Sequence, residues 1–167
     1  MEARTKLSIA TKLSTTNTGR RNCQVTNSQM GAFGENFTTE GLSEDSVNIG
    51  DQFSIGSAEV VVSQPRLPCY KLGIRFKSDD MVKRFLASRR TGFYLVVTQE
   101  GEVGAGDEIS VLRHHPDSIS ISEITDLYIA KEYDNEDLRR VQKALGLEAL
   151  PESWKEFLQE KATRLTA

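Results

Sequence analysis

The chain has 167 residues, of which 38% are apolar, 27% charged and 7% aromatic. This length fits one domain, alone or with a small appendage, and allows a hydrophobic core without disulfide staples. A net charge of −3 argues against wholesale binding to nucleic acid or anionic membranes, and no apolar run approaches the ~20 residues that span a bilayer. The two cysteines, Cys23 and Cys69, cannot form a disulfide framework, so a reducing, cytoplasmic setting without a secretory signal is expected.

Charge and residue content divide the chain into three regions. Residues 1–30 carry a net charge of +4 and are rich in Ser, Thr and Asn, with no sustained apolar period. They are therefore predicted to be loop or disordered, and a basic arm that contacts a partner is the alternative interpretation. Residues 31–113 carry −3 and residues 114–167 carry −4, and these two regions are predicted to hold the folded structure.

Residues 31–113 show short apolar runs separated by tight turns. The run of three valines at 60–62 is typical of a strand that is buried on both faces. A helix capped by Ser78 is predicted over 81–86. The close spacing of the runs favours a small, mostly antiparallel β-barrel, so the predicted fold class is α+β. The predicted strands occupy residues 47–49, 53–55, 58–63, 93–98, 103–105 and 109–111.

The last region, residues 114–167, has helical periodicity. The pairs Ser120 with Glu123 and Asp134 with Asp137 are capping boxes that predict two helix starts, and a proline at 151 suits the first turn of a third helix. Three short helices would form a subdomain that needs a neighbour to bury its faces. The apolar stripe of the last helix is predicted to be core rather than a cofactor surface, and it comprises Trp154, Phe157, Leu158 and Leu165.

Several motif-like features have ordinary structural interpretations. No Cys/His cluster with metal-ligand spacing occurs, and His114-His115 is predicted to solvate a linker. The glycines at 101–106 lack the strand-to-helix context of a phosphate loop and are predicted to form a turn. Asp79-Asp80 is explained by helix capping more simply than by a catalytic carboxylate pair.

Cys69 is the strongest candidate for chemistry. It follows a predicted strand in a loop confined by Pro65 and Pro68, and Arg66 and Lys71 flank it. Neighbouring cations favour the thiolate form, which is the nucleophile and the metal ligand. The residues alone leave a second interpretation open, in which the cysteine is buried as a small apolar side chain.

Two further polar segments are candidate ligand sites. The loop at 31–41 offers amides and hydroxyls, including Asn36 and Thr38, that suit an anionic or heterocyclic ligand. An ordinary glycine-rich turn has the same composition. Arg90-Thr91 and the glycine after it join a cation, a hydroxyl and a permissive backbone, which suits a phosphate.

These segments together resemble the MOSC domain, named from the molybdenum cofactor sulfurase C-terminus. The branch they resemble is that of the hydroxylaminopurine-resistance proteins, which add a three-helix C-terminal domain, and the resemblance covers roughly residues 31–165. The ordered motifs are GENFTTEG at 34–41, QPRLPC at 64–69, RTGFY at 90–94, GEVGAGD at 101–107 and SEITDLY at 122–128.

The resemblance implies a β-barrel that binds a molybdenum-pterin cofactor, and the family is also associated with pyridoxal phosphate binding. Cys69 matches the family cysteine, which as the catalytic residue would ligate molybdenum or carry a sulfur, and a soft thiolate suits that metal. Asn36 and Thr38 fall on the loop expected near the cofactor. Side chains assigned by their charge or hydroxyl to its phosphate, or to anchoring the cysteine, are Arg66, Lys71, Arg90 and Thr91.

The reaction implied is removal of oxygen from a small N-hydroxylated base or amine. Electrons would come from a separate reductase, because no flavin, nicotinamide or iron–sulfur motif occurs in the sequence. A non-catalytic sulfur or cofactor carrier and a truncated vestigial domain are the alternatives. Neither nucleic acid nor a membrane is an expected partner.

The family has a longer N-terminal part of the barrel with a His-Gly-Gly segment, which does not occur in residues 1–30. A barrel short of strands would leave open edges, and pairing into a homodimer is one way to cover them.

Overall fold

The computed structural model describes residues 6–11, 33–39, 41–115 and 117–166. Its strands are β1 (Lys6–Thr11), β2 (Phe37–Thr39), β3 (Gln52–Ile55), β4 (Ala58–Pro65), β5 (Phe93–Gln99) and β6 (Ile109–Arg113). Its helices are α1 (Tyr70–Phe76), α2 (Met81–Ala87), α3 (Ile121–Ile129), α4 (Asn135–Leu145) and α5 (Glu152–Thr166). The predicted α+β class is confirmed. Among the helices of these ranges, none combines the length and the apolar content needed to cross a membrane.

The strands form one sheet in the order β2-β1-β5-β4-β3-β6, so β2 and β6 are its edges among the described strands. Only the β1–β2 pair is parallel, and the other four pairs are antiparallel. The mostly antiparallel sheet is therefore as predicted.

The sheet buries one face against the C-terminal helices. Val60 and Val62 are 1% and 0% exposed, whereas Val61 between them is only half-buried. The prediction that this strand is buried on both faces is therefore wrong, because successive side chains point to opposite faces and only one face meets the helices. The sheet and helices share one apolar cluster, in which Phe93 and Leu158 are both fully buried.

Strand β1 lies in the segment that was predicted to be loop or disordered, so that prediction is wrong for Lys6–Thr11. Its backbone pairs with β2 on one side and β5 on the other. Pairing on both sides stabilises a strand whose own apolar alternation is too short to detect. The rest of residues 1–30, including Cys23, lies outside the described residues.

Residues 66–69 form the loop that was predicted around Cys69, and helix α1, which was not predicted, begins directly after it at Tyr70. Helix α2 begins as expected, but its N-cap is Asp80, while Ser78 contributes only its carbonyl, to the N–H of Met81 at 3.2 Å. Two predicted strands are also wrong. Residues 47–49 make only an isolated bridge to Ser120, and residues 103–105 lead into a turn that the Asp107 carboxylate closes.

The C-terminal helices begin where their caps predict. In both capping boxes, Ser120 with Glu123 and Asp134 with Asp137, each side chain bonds the partner's backbone N–H. The stripe on α5 is largely core as predicted, with Trp154 and Leu158 buried and Phe157 and Leu165 half-buried.

Candidate functional site

The register of the sheet brings the predicted site segments to one end of it. Phe37 of β2 is opposite Ile9 of β1, Ile9 is opposite Phe93 of β5, and Phe93 is opposite Pro65 of β4. This row crosses four neighbouring strands. The residues that follow β4, precede β5 and follow Phe37 in β2 therefore lie at the same end, and these are the predicted Arg66, Thr91 and Thr38.

Arg66 joins two of these segments. Its backbone N–H donates to the carbonyl of Gly92 at 3.0 Å, and its Nη2 donates to the carbonyl of Phe33. Its second terminal nitrogen, Nη1, is buried and has no hydrogen-bond partner within the part of the chain that the structure describes. A buried guanidinium N–H without a partner is costly, so this nitrogen has capacity for an acceptor from a ligand.

The loop before β2 is fixed by aromatic packing and by one carboxylate. The Phe33 ring lies 5.2 Å from the rings of both Phe76 and Phe85, which ties the loop to α1 and α2. The Glu35 carboxylate accepts from the Phe33 N–H at 3.0 Å and from the Thr38 hydroxyl at 3.3 Å. Thr38 and the neighbouring Asn36 are exposed, so both are accessible to a ligand.

The segment before β5 is anchored by a buried acid. Gly92, at φ +73°, donates its N–H to Oε1 of Glu44 at 2.9 Å, and Glu44 is 2% exposed. The carbonyl of Glu44 accepts from the N–H of Ser122 at 3.0 Å, which links the segment to α3. Thr91 is fully buried and its hydroxyl donates to the Gly92 carbonyl at 3.2 Å, so Thr91 shapes this turn from inside.

Cys69 is the N-cap of α1, and its side chain is exposed. The interpretation that it is buried as a small apolar side chain is therefore wrong. Its extended backbone follows Pro68, and its carbonyl accepts from the N–H of Leu72 at 2.9 Å. These contacts fix the backbone position from which the thiol side chain extends. Two residues separate it from the arginine at 66, so the thiol and the guanidinium belong to one short segment.

The remaining cations lie at the rim. Lys71, in the first turn of α1, and Arg90 are exposed. Arg89, at φ +55°, pairs its Nε with Oδ1 of Asp126 at 2.7 Å, which ties the end of α2 to α3. Of the two neighbouring arginines, Arg89 and Arg90, it is therefore Arg90 that is exposed.

Sequence reasoning missed Glu44 and Thr39. Thr39 is 7% exposed, and its hydroxyl has no hydrogen-bond partner among the described residues. It lies within the GENFTTEG motif, so the motif itself was a signal. Nothing local separates Glu44 from the exposed Asp45 beside it, because its partner Gly92 is far along the chain.

His114 and His115 do more than solvate a linker. Oδ1 of the fully buried Asp51 accepts from the His115 N–H at 2.9 Å, and its Oδ2 lies 3.2 Å from Nδ1 of His114. Oδ2 also accepts from the N–H of Asn48 at 2.9 Å. The pair therefore fixes the link between β6 and the helices, and the described ranges contain no group of three or more acidic, His or Cys side chains suited to a metal ion.

Comparison with known proteins gives one consistent family. A model of the MOSC domain matches residues 8–110, which begins within β1. The uncharacterized protein YflK of Bacillus subtilis (strain 168) is 38% identical over 134 residues, which cover 80% of this chain and 59% of YflK. The crystal structure of YiiM from Geobacillus stearothermophilus is 34% identical with a TM-score of 0.74, covering 80% of this chain and 67% of that chain.

A protein named Reductase from Gibberella moniliformis (strain M3125 / FGSC 7600) is 40% identical over 84 residues, which cover 50% of this chain and 15% of that protein. The chain thus spans less than two thirds of the length of the curated relatives it matches.

Proposed function

Because this chain belongs to the MOSC domain family, in its hydroxylaminopurine-resistance-like branch, we propose that it binds a molybdenum-pterin cofactor and reduces N-hydroxylated bases or amines. The observation that carries the proposal is the exposed thiol of Cys69, held at the start of α1 beside the segment that Arg66 ties to two neighbouring loops.

The side chains at this end of the sheet fit such a cofactor. A cysteine thiolate is a soft ligand of the kind that transition metals such as molybdenum take. A guanidinium is the side chain best suited to a phosphate, and Nη1 of Arg66 is buried with no hydrogen-bond partner in the described ranges. Cys69 would hold the metal, and Arg66 would bind the phosphate of the pterin.

The other residues would bind and orient. Asn36 and Thr38 offer an exposed amide and hydroxyl on the loop before β2, while Lys71 and Arg90 place positive charge at the rim and attract an anion. Glu44 and Thr91 would act indirectly, because they fix the turn to which Arg66 is hydrogen-bonded.

When bound, the cofactor supplies the redox chemistry: two electrons and two protons convert the N-hydroxy group to the amine and water. The sequence contains no motif for a flavin, a nicotinamide or an iron–sulfur cluster, so a separate reductase supplies the electrons.

The test measures molybdenum and pterin per chain, on protein purified anaerobically from a host that makes the cofactor. We expect near-stoichiometric metal in the wild type, none in Cys69→Ala, and wild-type content in the control Ser110→Ala, an exposed position on β6. Folded wild-type protein without metal would overturn the proposal. Loaded protein is then assayed with 6-hydroxylaminopurine and a reduced viologen dye, where failure to form the amine would overturn the reductase activity.

A sulfur-carrier function is the second candidate, since an exposed thiol on a short rigid segment also suits a persulfide. This function predicts a mass increase of about 32 Da on the peptide that contains Cys69, removed by a thiol reductant. An increase that resists reduction marks a sulfinic acid instead and contradicts the carrier.

A further inference from the structure

Helix α1 turns two large apolar side chains toward solvent. Leu72 is buried and Phe76 packs on Phe33, so these residues form the inner face of the helix. Tyr70 and Ile74, one turn apart on the opposite side, are 71% and 69% exposed. Adjacent exposed apolar side chains of this size are typical of a surface that binds another molecule.

A groove continues this surface toward α2. Its volume is about 400 Å³, and its walls include Ile74, Lys77 and Val82. We call Tyr70, Ile74, Lys77 and Val82 the α1–α2 face. It begins directly after Cys69, so a molecule bound there lies beside the thiol.

The charge around this face differs from that of the rest of the molecule. Residues 69–90 contain seven basic and two acidic residues, a net charge of +5, whereas the remaining sequence contains 14 basic and 22 acidic residues, a net charge of −8. The α1 helix itself contains Lys71 and Arg75 and no acid, and both are exposed. The face is therefore apolar at its centre, and the segment that carries it is positive although Asp79 also lines the groove.

We propose that the α1–α2 face is the docking surface for an acidic electron-donor protein. This inference rests on the proposed function, which requires electrons from another protein. Transient redox complexes use small interfaces, and complementary charge guides their association. An apolar patch on a positively charged segment, placed beside the residue that would hold the metal, meets both requirements.

Other occupants fit the face less well. The chain's own residues 12–32 contain Lys12, Arg20 and Arg21 and no acid, so they have the same sign of charge as the face. The phosphates of a nucleic acid would gain nothing from the apolar side chains of Ile74 and Val82 at the centre of the face, and the oligonucleotide measurement below tests this case. A second copy could present its acidic C-terminal helices, and the experiment distinguishes this case.

The experiment measures binding of two acidic probes, a flavodoxin and a [2Fe–2S] ferredoxin, by isothermal titration calorimetry at low and high salt. The variant Ile74→Ser/Lys77→Glu removes one apolar and one basic group from the face. The control Val111→Ser/Lys143→Glu makes the same changes at exposed positions on β6 and α4.

We expect at least one probe to bind the wild type and the control equally, and to bind the face variant about tenfold or more weakly, with affinity falling as salt rises. Absence of binding by both probes, or equal loss in the control, would overturn the proposal. So would self-association in the wild type, or binding of a single-stranded oligonucleotide, that the face variant alone abolishes.

A second readout separates this inference from the proposed function. A reduced viologen dye delivers electrons without docking, so dye-driven reduction should be equal in wild type and face variant, while flavodoxin- or ferredoxin-driven reduction falls about tenfold or more. If dye-driven reduction is absent even in the wild type, the proposed function fails, and the calorimetric result still decides whether the face binds an acidic protein.

Discussion

The carboxylate of Glu44 accepts a hydrogen bond from the backbone N–H of Gly92 at 2.9 Å, and both residues are buried. Arg66 bonds the carbonyl of the same glycine at 3.0 Å. Both backbone polar groups of Gly92 are thus hydrogen-bonded. The Glu44 carboxylate therefore helps to position Arg66 through Gly92, and neither of these two hydrogen bonds joins Glu44 to Arg66.

Glu44→Ala should therefore destabilise the fold and disturb the site. Loss of the acceptor leaves the N–H of Gly92 buried and unpaired, which costs about 1–3 kcal/mol of unfolding free energy. Glu44→Gln retains an acceptor oxygen and should cost less. Urea denaturation of both variants, with the exposed Asp45→Ala as the control, checks this. An Ala variant as stable as the control would contradict the assigned role.

Arg66→Lys should lower the molybdenum and pterin content while leaving the fold intact. A lysine carries all its donors on one nitrogen, so it lacks the planar fork in which one guanidinium nitrogen donates to the Phe33 carbonyl and a separate nitrogen is presented to a phosphate. Metal analysis beside Arg113→Lys, an exposed position on β6, checks this. Wild-type cofactor content in Arg66→Lys would show that the second nitrogen has no ligand role.

Local signals predicted the C-terminal helices, and long-range contacts explain what was missed. In the capping boxes at Ser120 and Asp134, the bonded residues are three positions apart, so the sequence alone is enough to predict them. Helix α1 ends at Lys77, at φ +49°, where a glycine would have signalled the end. Strand β1 and the role of Glu44 depend on partners distant in sequence, and no local pattern encodes those pairings.

The site was predicted in the same uneven way. Cys69 and Arg66 stand out because prolines and cations surround them, and the structure places them on one segment. The predicted ligand role of Thr91 depends on its hydroxyl, but this hydroxyl is buried and donates to the backbone. Burial of a side chain in a turn follows from packing, which composition does not reveal.

Lys161→Met should destabilise the helical part of the fold. Lys161 is buried, and its Nζ donates to the carbonyls of Leu127 and Tyr128 at 2.7 and 2.6 Å, which are among the last carbonyls of α3. Without the ammonium, the Tyr128 carbonyl loses this donor and the Leu127 carbonyl keeps the Tyr133 hydroxyl, at a cost of about 1–3 kcal/mol. Urea denaturation should show this loss, while the exposed Lys143→Met stays near wild type.

Tyr133 should make the fold lose stability at alkaline pH. Burial, followed by the nearby Asp137, raises the pKa of Tyr133 from 10.0 to about 12. Because the folded state holds the phenol proton more tightly, its stabilising contribution is complete below pH 10 and is lost as pH rises toward 12. The phenol is partly solvated, so the contribution is about 1–2 kcal/mol, below the full linkage value.

Tyr133→Phe isolates this effect. Burial lowers the pKa of the neighbouring Lys161. Loss of the Lys161 proton therefore makes the fold more stable as pH rises toward the ordinary lysine pKa of 10.5, which is opposite to the effect of the tyrosine. Urea midpoints at pH 9 and pH 11 should therefore fall more in the wild type than in Tyr133→Phe, which has no phenol to ionise. At pH 9 the variant should be about 1 kcal/mol less stable, since it lacks the hydrogen bond from the hydroxyl to the Leu127 carbonyl. Parallel pH profiles for the two proteins would show that the phenol ionises equally in the folded and unfolded chains.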